Sequence, residues 1–138
     1  MQSKLNPYLS FRDNARQAMQ FYQTVFGGKL TVSTFKDFDV STDPAEADKV
    51  MHSVLEAENG IVFMAADLPN NYPHSETTFI SMSLSGDNSS ELTGYYQKLA
   101  VGGKISVPLD SAPWGDQFGM VTDQFGVDWM VNISGKQA

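Results

Sequence analysis

A chain of 138 residues with nine basic and sixteen acidic side chains carries a formal charge of −7, and it contains no cysteine. Disulfides, thiolate metal sites and a cysteine nucleophile are excluded, and the acidic balance argues against the clustered basic face that a nucleic-acid partner requires. With 41% hydrophobic and 18% charged residues, a globular fold is expected rather than a disordered chain.

At the N-terminus, MQSKLNPYLSF lacks the hydrophobic region of a signal peptide, and no apolar run reaches the roughly 20 residues of a membrane helix. A cytoplasmic protein with no membrane partner is expected. Residues 5–11 alternate enough to form a strand, and Asp13 or Asn14 then offers a helix N-cap. Ala15, Ala18, Met19, Tyr22 and Phe26 fall at helical spacing, and Gly27-Gly28 predicts a helix end through a left-handed residue. Strands are predicted near 29–37, 48–57 and 61–66, the first two separated by the polar, proline-containing segment 39–48. A linker over 68–76, marked by Pro69, Asn70, Asn71 and Pro73, precedes a second series of elements. That series is a strand at 78–85, a helix from about Asn88 to Val101 ended by Gly102-Gly103, and strands near 104–109, 117–122 and 127–133.

Two stretches recur in the same order. Phe21-Tyr22-Gln23 followed by Gly27-Gly28-Lys29-Leu30 is matched by Tyr95-Tyr96-Gln97 followed by Gly102-Gly103-Lys104-Ile105. Further on, Glu58-Asn59-Gly60-Ile61-Val62-Phe63-Met64 parallels Gln124-Phe125-Gly126-Val127-Asp128-Trp129-Met130. Ordered agreement at both places points to an internal duplication. The expected organisation is a single α+β domain made of module 1 (about 1–67) and module 2 (about 77–138).

A strand–helix–strand unit followed by a short meander gives a sheet with its helix on one side. Two such units paired through their bare faces can form a curved mixed sheet around a cleft. Alternation sends Leu9 and Phe11 to the helix side and leaves Asn6, Tyr8 and Ser10 facing the cleft. In the second half, Ile80, Met82 and Leu84 go under the helix, with Phe79, Ser81 and Ser83 on the cleft side. In the closing strands Ile61/Phe63 and Val127/Trp129 are packing positions, so Val62/Met64/Ala66 and Asp128/Met130/Asn132 face the cleft. Apolar walls with a few hydroxyl and amide groups suit a small-molecule pocket.

Several motifs make the chain resemble one superfamily: Asn6-Pro7-Tyr8-Leu9 with Phe21-Tyr22 and Gly27-Gly28, then Met51-His52-Ser53. Trp114-Gly115-Asp116-Gln117-Phe118-Gly119 and the run DQFGVDWMVN from Asp123 to Asn132 complete the set and are its specific members. Spanning nearly the whole chain, they resemble the vicinal oxygen chelate superfamily of glyoxalase I, bleomycin-resistance proteins and extradiol dioxygenases, in its PhnB-like branch. The resemblance implies paired βαβββ modules, a glyoxalase/bleomycin-resistance-like domain, and a homodimer. The branch is sometimes labelled after a demethylubiquinone methyltransferase. Methyl transfer would need a cofactor-binding sheet and a Gly-rich loop, neither of which is readable, and it is discounted.

Enzymes of this superfamily place a divalent metal on His and Glu or Gln from four strand positions, two per module. Matched residue by residue, the resemblance puts those positions at Asn6, Met64, Phe79 and Met130. None suits a hard or borderline ion, since thioethers select soft metals and a phenyl ring binds none. The expectation is that there is no metal and no other cofactor.

Other polar residues offer alternatives. His52 shares a strand face with Glu56, but four residues of strand separate them by about 13 Å, too far to chelate one ion. His52 is then either a hydrogen-bonded strand histidine or a ligand-contacting, acid–base group. His74-Ser75-Glu76 lies in the linker, as a solvated loop or an incomplete metal pair. Trp114 either roofs the cleft or plugs the end of the sheet, and Tyr8 combines an apolar ring with a polar tip. Met64 and Met130 are adaptable walls. The glycine pairs follow helices instead of preceding them, so they are helix ends and not phosphate loops.

The ligand-pocket candidates are Asn6, Tyr8, Ser10, His52, Met64, Phe79, Ser81, Trp114 and Met130, with no catalytic residue assigned. Three functions stay open. One is a metal-free protein that binds a small molecule between its modules. Another is a lyase, isomerase or dioxygenase-type enzyme using a displaced metal or residues such as His52 and Tyr8. The third is a dimeric scaffold whose cleft is filled by its own side chains.

Overall fold

A stripe of Ala15, Ala18, Met19, Tyr22, Val25 and Phe26 is buried along α1 (Ala15–Phe26), as the helical spacing of these residues requires. The helix belongs to a computed structural model that describes residues 5–38, 44–69 and 80–135, divided between two units, Met1–Glu76 and Thr77–Ala138. In the first unit β1 (Tyr8–Phe11), α1 and β2 (Lys29–Thr34) are followed by a helical turn, α2 (Phe35–Phe38). Then come β3 (Val50–Glu56) and β4 (Val62–Asp67). The second unit contains β5 (Met82–Gly86), α3 (Ser89–Ala100), β6 (Lys104–Ser111), β7 (Gln117–Thr122) and β8 (Asp128–Ile133). Among the described residues no helix is long and apolar enough to cross a membrane.

Each unit builds a four-stranded mixed sheet, and the two strand orders correspond: β1-β4-β3-β2 and β5-β8-β7-β6. The first strand runs parallel to the last, and the remaining pairs are antiparallel. One face of each sheet is covered by its helix. Phe63, 2% exposed, meets the rings of Tyr22 and Phe26 edge-on at 5.4 and 5.9 Å, while Trp129 is the large buried side chain of the second sheet. The α+β class expected from the sequence is the one found.

The repeated glycine pairs have a common steric cause. Gly27 and Gly102 both take φ of +74°, which ends the preceding helical segment. A Cβ on Gly28 would collide with the carbonyl oxygen of Glu56 at the end of β3, and one on Gly103 with that of Thr122 at the end of β7. Only glycine lets each helix exit pass so close to its own sheet.

The helix starts differ. Asn88 caps α3 by accepting the Glu91 N–H at 3.1 Å. Neither cap expected for α1 operates: Asn14 makes no capping side-chain bond, and Asp67 does so from the end of β4. Its carboxylate accepts the Ala15 N–H and the Val50 N–H, each at 2.9 Å, tying the starts of α1 and β3 together from a buried position.

Two strand expectations are corrected. The strand predicted at 29–37 ends at Thr34, where Asp37 accepts the Thr34 N–H at 2.9 Å and the chain turns into α2. Ile80, expected under the second helix, is 78% exposed. The pairing of β5 with β8 begins only at Met82 opposite Trp129, so Ile80 lies beyond the sheet and has no helix above it.

Candidate functional site

The face of the first sheet away from α1 is ordered in cross-strand rows. One row pairs Tyr8, Met64, Val54 and Thr31 across β1, β4, β3 and β2. The next pairs Ser10 with Ala66 and His52 with Ser33. Because Ser53 is opposite Ala65, His52 stands beside Ala66. At the far end, Glu56 is flanked by Val62 and Lys29.

Within this face the Tyr8 hydroxyl lies 3.3 Å from Nδ1 of His52, and the two rings are 5.8 Å apart and tilted. The strand between them carries Ala66 beside His52, a side chain small enough to leave that span open. Partial burial pushes the Tyr8 phenol above its ordinary pKa, so it remains a proton donor throughout the neutral range. The facing of His52 is set by an irregularity in β3. Pairing with β2 shifts between Ser33 and Thr34, so Val50, Ser53 and Leu55 all reach the buried side while His52 and Val54 point away.

The second sheet repeats the row geometry with other chemistry. Ser83, Met130 and Met120 form one row, and Ser85, Asn132 and Phe118 the next. Phe118 therefore occupies the position of His52, and Asn132 that of Ala66. Trp114, 60% exposed, donates its indole N–H to Oδ1 of Asn132 at 3.1 Å and meets Phe118 edge-on at 5.5 Å. Asn132 in turn donates to Asp116 at 3.0 Å, and the Gly135 N–H reaches the other oxygen of that carboxylate at 2.8 Å. These bonds, with the Asn132 amide first, hold the Asp116 carboxyl below its ordinary range. Trp114 thus lies on this sheet beside Asn132 and Phe118.

The structure sorts the sequence candidates. It brings Tyr8, Ser10, His52 and Met64 onto one face in the first unit, with Asn6 half-buried just before β1. It puts Met130 and Trp114 on the open side of the second sheet. Ser81 is exposed and precedes β5, so Ser83 holds the place beside Met130. Phe79 and His74 lie outside the described residues. Asn132, Phe118 and Thr31 were not among the candidates, although alternation along β8, β7 and β2 carried the signal for each.

The described positions that the resemblance matches to the superfamily's metal ligands are a poor donor set. Asn6 offers a neutral amide and Met64 and Met130 offer thioethers, so the residues present do not fit a hard or borderline divalent ion. Among the described residues no three His, Asp or Glu side chains converge. A separate cavity of about 360 Å³ in the first unit is lined by Asp13, Arg16, Lys49, Val50 and Asp67 among others. Much of its charge is satisfied internally: Lys49 pairs with Asp13 at 2.6 Å, and Asp67 is bonded to two backbone N–H groups.

A model of the Glyoxalase/Bleomycin resistance protein/Dioxygenase superfamily matches residues 4–131. The chain belongs to this superfamily. Protein YjdN of Escherichia coli (strain K12) is 28% identical over 144 residues, covering 96% of this chain and 97% of that protein. The crystal structure of protein PA1353 from Pseudomonas aeruginosa superposes with a TM-score of 0.81 at 36% identity, covering 98% of this chain and all of that one. A Bacillus cereus PhnB protein, described as a putative 3-demethylubiquinone-9 3-methyltransferase, superposes at 0.73 with 26% identity, covering 96% and 100%. The PhnB-like likeness within the superfamily rests on that neighbour.

Proposed function

We propose that this protein binds a small molecule against the open faces of its sheets, without the divalent metal of the superfamily's enzymes and without another cofactor, as a homodimer. The observation that carries this reading is the pair of methionines, Met64 and Met130, at equivalent positions of β4 and β8, which the resemblance matches to metal-ligand positions. Thioethers there supply soft, adaptable walls instead of ligands for a Lewis acid. Tyr8, Ser10 and His52 give the first sheet the few directional groups that a mostly apolar surface needs, and Ser83, Asn132 and Trp114 give the second sheet its own. The methyltransferase description of the Bacillus cereus protein is not carried over. Each sheet here has four strands and mixed pairing, and its glycine pair follows a helix, unlike a dinucleotide-type phosphate loop.

Metal content of freshly purified protein, followed by titration with Ni²⁺, Zn²⁺, Mn²⁺ and Fe²⁺, tests this reading. Binding is expected to stay well below one ion per chain, and stoichiometric, tight binding would defeat it. Sedimentation gives the oligomeric state in the same preparation. A second reading, metal-free acid–base catalysis, draws on the Tyr8–His52 contact. Chemical change of a bound compound, seen by mass spectrometry and lost in His52→Gln, would replace binding by turnover.

A further inference from the structure

We propose that Tyr8 fixes His52 as a hydrogen-bond donor, so that the open face of the first sheet selects ligands presenting an acceptor oxygen, a carboxylate or carbonyl, on an apolar body. This rests on the open-face binding reading and names the ligand chemistry within it. The chain's charge of −7 points the other way, toward cations, but that charge is not on this part of the face. Of the residues in its rows, the one carboxylate is Glu56, at the far end opposite Lys29. Around the Tyr8–His52 pair stand Ser10, Ser33, Thr31, Val54, Met64 and Ala66, none of them acidic.

The donor assignment starts from the contact between Tyr8 and His52. The 3.3 Å approach is between the phenol oxygen and Nδ1 of His52. A protonated phenol can donate or accept, and we assign it as the donor here, which gives Nδ1 the lone pair. The proton of the neutral imidazole is left on Nε2. Among the described residues Nε2 has no hydrogen-bond partner, so its N–H is available to an incoming oxygen. Ser33, directly opposite His52 on β2, places a hydroxyl beside it. An ammonium group would meet an N–H there and no carboxylate, whereas a carboxylate or carbonyl would gain one or two hydrogen bonds. The row with Met64 and Val54 supplies an apolar floor for the rest of the molecule.

The full chain labelled with ¹⁵N-histidine reports this directly by long-range ¹H–¹⁵N correlation, with His52→Gln separating the signals of His52 from those of His74. His52 is expected in the Nε2–H form, and Tyr8→Phe should mix the two tautomers while leaving the unfolding midpoint nearly unchanged. Sodium benzoate and benzylammonium chloride then serve as probes with matched rings and opposite charge. Benzoate should shift the His52 Nε2 signal saturably, with affinity falling about fivefold in Tyr8→Phe, and benzylammonium should leave that signal in place. An Nδ1–H tautomer, or tighter binding of benzylammonium than of benzoate, overturns the proposal and leaves open-face binding standing. In the uniformly ¹⁵N-labelled chain, if neither probe moves the amide signals of Tyr8, His52 and Met64, open-face binding fails together with it.

Discussion

The indole N–H of Trp129 donates to one carboxylate oxygen of Asp123 at 2.8 Å, and both residues are almost wholly buried. The other oxygen accepts the N–H groups of Phe125 at 2.8 Å and Val127 at 3.1 Å. One carboxylate therefore shapes the β7–β8 turn and holds the largest core side chain of the second unit. Asp123→Asn turns one acceptor oxygen into a donor facing N–H groups. It is expected to cost about 1–3 kcal/mol in urea unfolding. Trp129→Phe removes that indole N–H donor and part of a buried ring, so a loss at least as large is expected. Losses within about 0.5 kcal/mol, as for ordinary surface changes, would show that the contact is unimportant.

Three glycine-to-alanine changes should separate cleanly. Gly28→Ala forces a Cβ onto the backbone of Glu56 at positive φ, and Gly103→Ala does the same at Thr122 without the φ term. Both should destabilise by more than about 1 kcal/mol, Gly28→Ala the more. Gly94 sits inside α3 with open space where its Cβ would be. Gly94→Ala should raise stability by about 0.5–1 kcal/mol. A chemical-denaturation series on the three variants checks the order. A neutral result at Gly103 would contradict the close helix–sheet approach.

Acid should loosen the Trp114 corner of the second sheet. The bonds from Asn132 and Gly135 hold the Asp116 carboxyl below its ordinary range in the folded protein. A depressed folded pKa contributes stability above the unfolded value, about 4, and that contribution is lost as pH falls through the folded value. Thermal midpoints measured from neutral pH down to about pH 3 should therefore drop less steeply in Asp116→Asn than in the parent chain. Equal slopes would mean that the carboxylate adds no acid-sensitive stability.

Periodicity was a dependable guide wherever one face of an element is buried. The α1 stripe, the alternation in β4 and β8 and the glycine pairs each record a local demand, either burial of every second or third-to-fourth side chain or absence of a Cβ. The same alternation identified Tyr8, Met64 and Met130 as lying on the open faces. It failed at Ile80, because a strand continues only as far as its partner, and β8 has no residue to pair with it.

His52 marks the limit of what one dimension can show. From the sequence its strand has two competing phases, with Met51, Val54 and Leu55 all apolar. The irregularity opposite Ser33 and Thr34 decides between them, and it exists only in the pairing of β3 with β2. Asp67 is similar: nothing in its own neighbourhood announces that it will cap a helix 52 residues earlier in the chain.

The sequence alone therefore determined the family, the α+β class and the repeated strand–helix–meander pattern. Local spacing suffices for the class and the repeat, whereas the family and its expected ligand positions come from the resemblance of the motifs. Only the tertiary structure decided that Tyr8 reaches His52 across an intervening strand, that Trp114 rests on Asn132 and Phe118, and that Asp67 and Asp123 are buried structural acids. Those contacts join residues on different strands and turns, and sheet register, which no local pattern encodes, sets which side chains meet.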